Sequence, residues 1–195
     1  MRVERNGVTR EEVIRRYAVY DRRKKGLPPI LDMDGWRWDD PDEIDKKLHA
    51  CGLKCGVLAA YRDWACVEFG VADLLECAVV NHIFPGEPRA LGQLALRGKL
   101  ATWVPIGHPE WWGPIRNGAS LDVSSALIAR PALKSESPAR WYLEDGSGRS
   151  IALLQRILWY GEAERIAWAY VGQQPDERSA FILSHPELMA NGKLL

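Results

Sequence analysis

Asp145, Gly146, Ser147, Gly148, Arg149 and Ser150 form one short run in the last third of the chain. Its two glycines allow a sharp turn and close approach of a ligand to the backbone. The residues before it, Arg140 to Glu144, alternate around Trp141 and Leu143, as a strand does. The residues after it, Ser150 to Tyr160, place Ile151, Leu154, Ile157 and Leu158 on one stripe, as a helix does. A strand, a tight turn and a helix in this order aim unpaired N–H groups and the positive end of the helix dipole back at the turn. An anion is stabilised there. Arg149 adds a planar, bidentate phosphate donor, and Ser147 and Ser150 add hydroxyls. The chemistry these types and spacings offer is phosphate binding. The run is neither a Walker A loop nor a dinucleotide fingerprint, whose glycine spacings are absent. A tight Asp-Gly turn followed by a serine-capped helix explains the same letters with no ligand at all.

Hydrolysis at a phosphate also needs a positioned carboxylate or a metal-bound hydroxide. Glu144 and Asp145 lie beside the turn. Glu68 and Glu76 lie in a segment expected to supply a neighbouring strand. Glu76 interrupts the apolar run Leu74-Leu75-Glu76-Cys77-Ala78, an odd place for an idle carboxylate. An exposed strand or helix position is its plain alternative, since glutamate is seldom buried. His108, alone in a Pro/Gly/Trp loop from Trp103 to Pro114, is either structural or an acid/base.

Thr9 and Glu12 fit a capping box for a helix through Tyr20, stopped by Gly26 and Pro28-Pro29. Its closing run, Arg22-Arg23-Lys24-Lys25, is either a solvated helix end or a phosphate-contacting patch. Asp32 to Pro41 is acidic and tryptophan-rich. It fails as a calcium loop, because Arg37 and Trp36 stand where that loop needs Gly and a ligand. It reads instead as the cap of a helix from Pro41 to about Ala50. Gly52 to Gly56 is a turn, Val57 to Phe69 is helix or mixed structure, and Asp73 to Val80 is strand or helix. Arg89 to Lys99 is expected to be helical, with Leu91, Leu94, Ala95 and Gly98 on one face. Ser125 to Arg130 is a short strand, Lys134 to Ala139 a polar turn, Arg165 to Val171 a strand, and Pro175 to Leu183 a helix or turn. No internal repeat is present.

Composition bounds the partners. The chain of 195 residues carries 26 Lys plus Arg against 26 Asp plus Glu, so no global positive field draws it to nucleic acid. Any DNA contact must be local. Nine tryptophans are present, including Trp36 with Trp38, Trp111 with Trp112, and Trp159 with Trp168. They serve core and rim packing, or alternatively base stacking. Cys51, Cys55, Cys66 and Cys77 lack zinc-ligand spacing and fit free thiols in a reducing cytoplasm. No secretory signal opens the sequence, and no apolar run approaches the roughly 20 residues of a membrane span.

The stretch Trp141-Tyr142-Leu143-Glu144-Asp145-Gly146-Ser147-Gly148-Arg149-Ser150-Ile151-Ala152-Leu153-Leu154 resembles the signature segment of the ParB/sulfiredoxin superfamily. There a strand ends in a G-x-x-R turn, often within D-G-x-x-R, and a helix follows. Ala126 to Arg130 and Arg165 to Val171 fit the flanking strands. The D-G-S-G-R form, the tryptophan richness and the small size are most similar to its plasmid-encoded fertility-inhibition (oncogenic-suppression) members. The resemblance covers the last third of the chain well and the remainder loosely.

The resemblance implies an α+β domain with a mixed sheet and packed helices over residues 61–195, after an N-terminal helical extension over residues 1–60. It implies ATP bound at the turn, with Mg²⁺. Gly146 and Arg149 fall on the G-x-x-R positions and Asp145 on the acidic one. Arg149 would then hold phosphate, with Ser147 and Ser150 beside it, and Gly146 and Gly148 would shape the turn. Asp145 and Glu144 would hold Mg²⁺ or water, with Glu76 as a further acid. The implied activity is an ATPase with DNase action that degrades transferring DNA and blocks conjugative or T-DNA transfer. Its partners would be that DNA and type IV secretion components. Its place would be the bacterial cytoplasm, with peripheral attachment at the inner membrane left open. Two departures narrow the chemistry. Sulfiredoxins carry Cys in the turn, where this chain has Ser147 or Gly148, which disfavours sulfinic-acid reduction. Free-serine kinases carry His-His there, where this chain has Ser147-Gly148, which removes their general base. A small-metabolite kinase and a non-enzymatic binding module using the tryptophan-rich loops stand as the rival readings.

Overall fold

The computed structural model describes residues 1–30, 32–53, 57–79, 90–96, 126–133, 138–163 and 166–175. The fold is α+β. In chain order its elements are β1 (Arg2–Thr9), α1 (Arg10–Lys24), α2 (Pro41–Ala50), α3 (Val57–Ala60), β2 (Tyr61–Phe69), α4 (Val71–Leu75), β3 (Cys77–Val79), α5 (Leu91–Ala95), β4 (Leu127–Pro131), β5 (Trp141–Asp145), α6 (Ser147–Tyr160) and β6 (Ala167–Pro175). The strands form one six-stranded sheet in the order β1-β2-β6-β4-β5-β3. It is mixed: β4 runs antiparallel to β5 and parallel to β6, and β5 runs parallel to β3. Among the described residues no helix is long and apolar enough to cross a membrane. The chain divides into two compact units, one of Met1–Arg5 with Cys66–Val171, the other of Asn6–Ala65 with Gly172–Leu195.

The unit holding α1, α2 and α3 is organised by its caps and its aromatic residues. Thr9 Oγ1 accepts from the Glu12 N–H at 3.2 Å and starts α1. Asp40 Oδ1 does the same for Glu43 at 3.0 Å, with Pro41 opening α2. Val13, Ile14 and Ala18 of α1, with Ile44 and Leu48 of α2, are buried. Arg10 is buried too, and its Nε and Nη1 donate to the carbonyls of Tyr61 and Trp38 at 3.0 and 3.2 Å. The acidic loop between α1 and α2 is held by its own tryptophans. Trp36 and Trp38 stack with centroids 5.4 Å apart, Arg15 lies over Trp38 and Lys47 over Trp36. Each ring thus already faces the other ring and a cation. This pair is used for packing.

The second unit carries the turn. The stretch Val57 to Phe69 resolves into one helical turn, α3, which belongs with α1 and α2, and then β2, of which only Cys66 to Phe69 belong to the unit of the turn; its Trp64, Ala65, Cys66, Val67 and Phe69 are all buried. A strand covered on both faces needs such a near-continuous apolar run. Of the ambiguous stretch Asp73 to Val80, Val80 lies outside the described residues, and the rest splits into the end of α4 and then β3. Helix α6 packs against α5 and α4. Leu74, Leu91, Leu94, Leu127, Leu143, Ile151, Leu153 and Leu154 make the core beneath it.

Candidate functional site

Strand β5 lies between β4 and β3, so its exit is held from both sides. Leu143 sits opposite Ala129 and Asp145 opposite Ile128, with a register irregularity between Ile128 and Ala129. Gly146 follows at φ 96° and ψ 10°, in the left-handed region. A Cβ there would lie 2.4 Å from Leu127 Cδ2 and 3.1 Å from Arg149 Nη2. Backbone conformation and space both require glycine at this position.

Helix α6 starts at Ser147, three residues earlier than its apolar stripe suggests, so Ser147, Gly148 and Arg149 form its first turn. The Gly146 carbonyl accepts from the Ser150 N–H at 2.9 Å, the first bond of the helix. Gly146 is the N-cap and has no side chain with which to cap this end. The N-cap position is thus a glycine and not the serine of the ligand-free reading. All residues from Gly146 to Gln155 are buried. The first N–H groups of a helix have no acceptor within the helix itself, and here they lie in a buried turn.

Two side chains complete the turn. Arg149 is 4% exposed, and its Nη2 donates to Asp145 Oδ2 at 2.7 Å. Ser150 is fully buried, and its Oγ has no hydrogen-bond partner among the described residues. Helical Cα–Cβ bonds tilt toward the N-terminus, so this hydroxyl leans toward the same first turn. A buried, unpaired hydroxyl costs about 1–3 kcal/mol. Together these groups offer an anion a cation, backbone donors and a hydroxyl.

The other expected acids are placed elsewhere. Glu144 precedes Asp145 on the strand and so projects from the opposite face. There its Oε1 accepts from Arg130 Nε at 2.7 Å, and the Arg130 guanidinium lies 4.2 Å over the Tyr142 ring. The contact of Glu144 is thus with Arg130, whereas that of Arg149 is with Asp145. Glu76 ends α4, is exposed, and lies 3.7 Å from Arg140, while its carbonyl accepts from the Arg140 N–H. It stands at the start of β5, and Asp145 at its end, about 13 Å away at the usual strand rise. Glu68 is half-buried on β2 beside Arg2. His108, Trp103, Trp111 and Trp112 lie outside the described residues, as does nearly all of Pro175 to Leu183.

Sequence reasoning missed Arg130 and Leu127. Arg130 ends an apolar stretch and is buried, the same oddness that drew attention to Glu76. Leu127 gives no signal in the sequence, because its role is to fill the space Gly146 leaves. Cys77 is no nucleophile, since burial first, and then the charges of Asp73 and Glu76, push its thiol pKa up. Among the described residues no group of three or more His, Cys, Asp or Glu is placed to hold a metal ion. Comparison with protein-family models, with curated proteins and with solved structures finds no match to this chain.

Proposed function

We propose that the turn from Asp145 to Ser150 binds the phosphates of ATP, and that the chain is an ATP-hydrolysing nuclease of ParB/sulfiredoxin type. In that reading it degrades transferring DNA and so limits conjugative or T-DNA transfer. It would act in the bacterial cytoplasm, in reach of type IV secretion components. The observation that carries the phosphate site is the buried N-terminus of α6, whose N-cap is a glycine with no side chain, with Arg149 buried beside it. Arg149 neutralises phosphate charge and fixes its orientation through a planar fork. The N–H groups of the first turn add fixed donors. Ser150 supplies the hydroxyl. Resemblance in the signature segment supports the rest of the reading.

Mg²⁺ binds most often through one or two carboxylates and the substrate phosphates, keeping several waters. Asp145 fits that modest demand, being 28% exposed and at the mouth of the turn. Glu144, engaged with Arg130 on the other face, does not share an ion with it in this arrangement. Such an ion would supply neutralisation of phosphate charge.

The test is phosphate release from ATP with Mg²⁺, with and without plasmid DNA, the DNA being followed on a gel. Wild type is compared with Arg149→Ala. Loss of an electrostatic contact to the reacting phosphate should lower turnover by about 10²-fold or more, and DNA cleavage should fall with it. Turnover unchanged in the variant refutes the site. ATP consumption that needs a small hydroxylated acceptor, with intact DNA, identifies a kinase. Absence of both activities in the wild type leaves a binding module.

A further inference from the structure

The turn is closed by its own carboxylate. Arg149 reaches back past Gly146, its Nη2 only 3.1 Å from where a Cβ would stand, and donates to Asp145 at 2.7 Å. Asp145 immediately precedes the helix N-terminus. A carboxylate there also meets the positive end of the dipole. It therefore takes up two of the attractions that a phosphate would use, the guanidinium and the dipole. Asp145 is partly open to water, whereas Arg149 is not. The carboxylate is thus the partner that can leave at lower cost, by exchanging Arg149 for solvent. The buried, unpartnered Ser150 hydroxyl is what Asp145 leaves unserved.

We propose that Asp145 is a built-in competitor for the anion site, holding Arg149 across the turn until a phosphate group displaces it. This rests on the reading of the turn as a phosphate site. It makes the resting state closed and self-neutralised, and it sets a threshold that weak anions do not cross. Neutralising Asp145 should remove the competitor while leaving the guanidinium, the first-turn N–H groups and the hydroxyl in place.

The experiment measures binding of ATP, and separately of inorganic phosphate, by calorimetry in the presence of EDTA, so that no metal contact of Asp145 enters. Full-length wild type, Asp145→Asn and Arg149→Ala are compared, with circular dichroism to verify folding. Asp145→Asn should bind ATP about fivefold more tightly than wild type, the worth of one partly exposed ion pair, and phosphate with a gain in the same direction. Arg149→Ala should lose binding. Equal or weaker binding by a folded Asp145→Asn, with Arg149→Ala still impaired, overturns the competitor role and leaves the site standing. Binding by Arg149→Ala equal to wild type overturns the site itself. Should Asp145→Asn not fold, Asp145→Ser removes the same charge and carries the same expectation.

Discussion

Leu127 Cδ2 occupies the space in which Gly146 would carry a Cβ; the two atoms would be 2.4 Å apart. Gly146 also holds φ at 96°. Replacing it with Ala meets both penalties. The left-handed backbone costs about 1–2 kcal/mol, and forcing a methyl into a packed core about 1–3 kcal/mol. Gly161, at the other end of α6, has φ 63° and nothing within 4 Å of its Cβ position. Gly146→Ala should therefore destabilise by about 3 kcal/mol and Gly161→Ala by about 1 kcal/mol. Urea denaturation of both variants decides it. Equal losses would mean that Leu127 yields freely and that the turn is less tightly packed than its geometry indicates.

The turn was legible because its signals are local: two glycines, flanking periodicities of two kinds, and an arginine just ahead of the helical stripe. The helices α1 and α2 were legible for the same reason, through Thr9, Asp40 and Pro41. Strand β1 was not. Its residues Arg2 to Gly7 are all exposed, so no apolar alternation marks it. Strand β2 was ambiguous because burial on both faces erases alternation. The site acids were only half legible. Sequence adjacency grouped Glu144 with Asp145, but adjacent residues of a strand face opposite ways. Which arginine each acid meets depends on the β4–β5 register and on the helix start, and neither is written in a six-residue run.

That separation has an energetic consequence on the far face of β5. Arg130 and Glu144 have side chains only 6% and 12% exposed. Removing one partner of a buried pair leaves an uncompensated charge and costs about 3–5 kcal/mol. Replacing both by apolar groups of similar size is often far less costly. Glu144→Leu should lose about 3 kcal/mol, and Arg130→Met with Glu144→Leu should lose less than the single variant. A double-mutant cycle measured by urea unfolding makes the comparison. Additive losses would show that the two residues act independently and that their 2.7 Å contact contributes little.

A further pair of contacts predicts an acid response in the unit built on α1 and α2. Glu43, in the first turn of α2, accepts from Lys47 Nζ at 2.8 Å and from Arg37. These hydrogen bonds, that of Lys47 first, hold its carboxyl pKa down to about 2. In the unfolded chain a glutamate titrates near 4.3, about the usual value. A folded-state pKa below the unfolded one means that the ionised group favours folding. That contribution is complete above the unfolded pKa and is lost as pH falls from there through about 2. Glu43→Gln removes the titration and keeps the shape. The variant should be less stable than wild type near neutral pH. The gap between them should narrow as pH drops below about 4 and close toward the folded pKa. The comparison cancels the carboxylates that share no partner with Glu43, so the difference centres on the Glu43, Arg37 and Lys47 cluster. Urea unfolding across this range measures it, with NMR titration of the Glu43 carboxyl as a direct check. A gap that stays constant down to the folded pKa would mean that the ion pairs with Lys47 and Arg37 do not act on stability through the charge of Glu43.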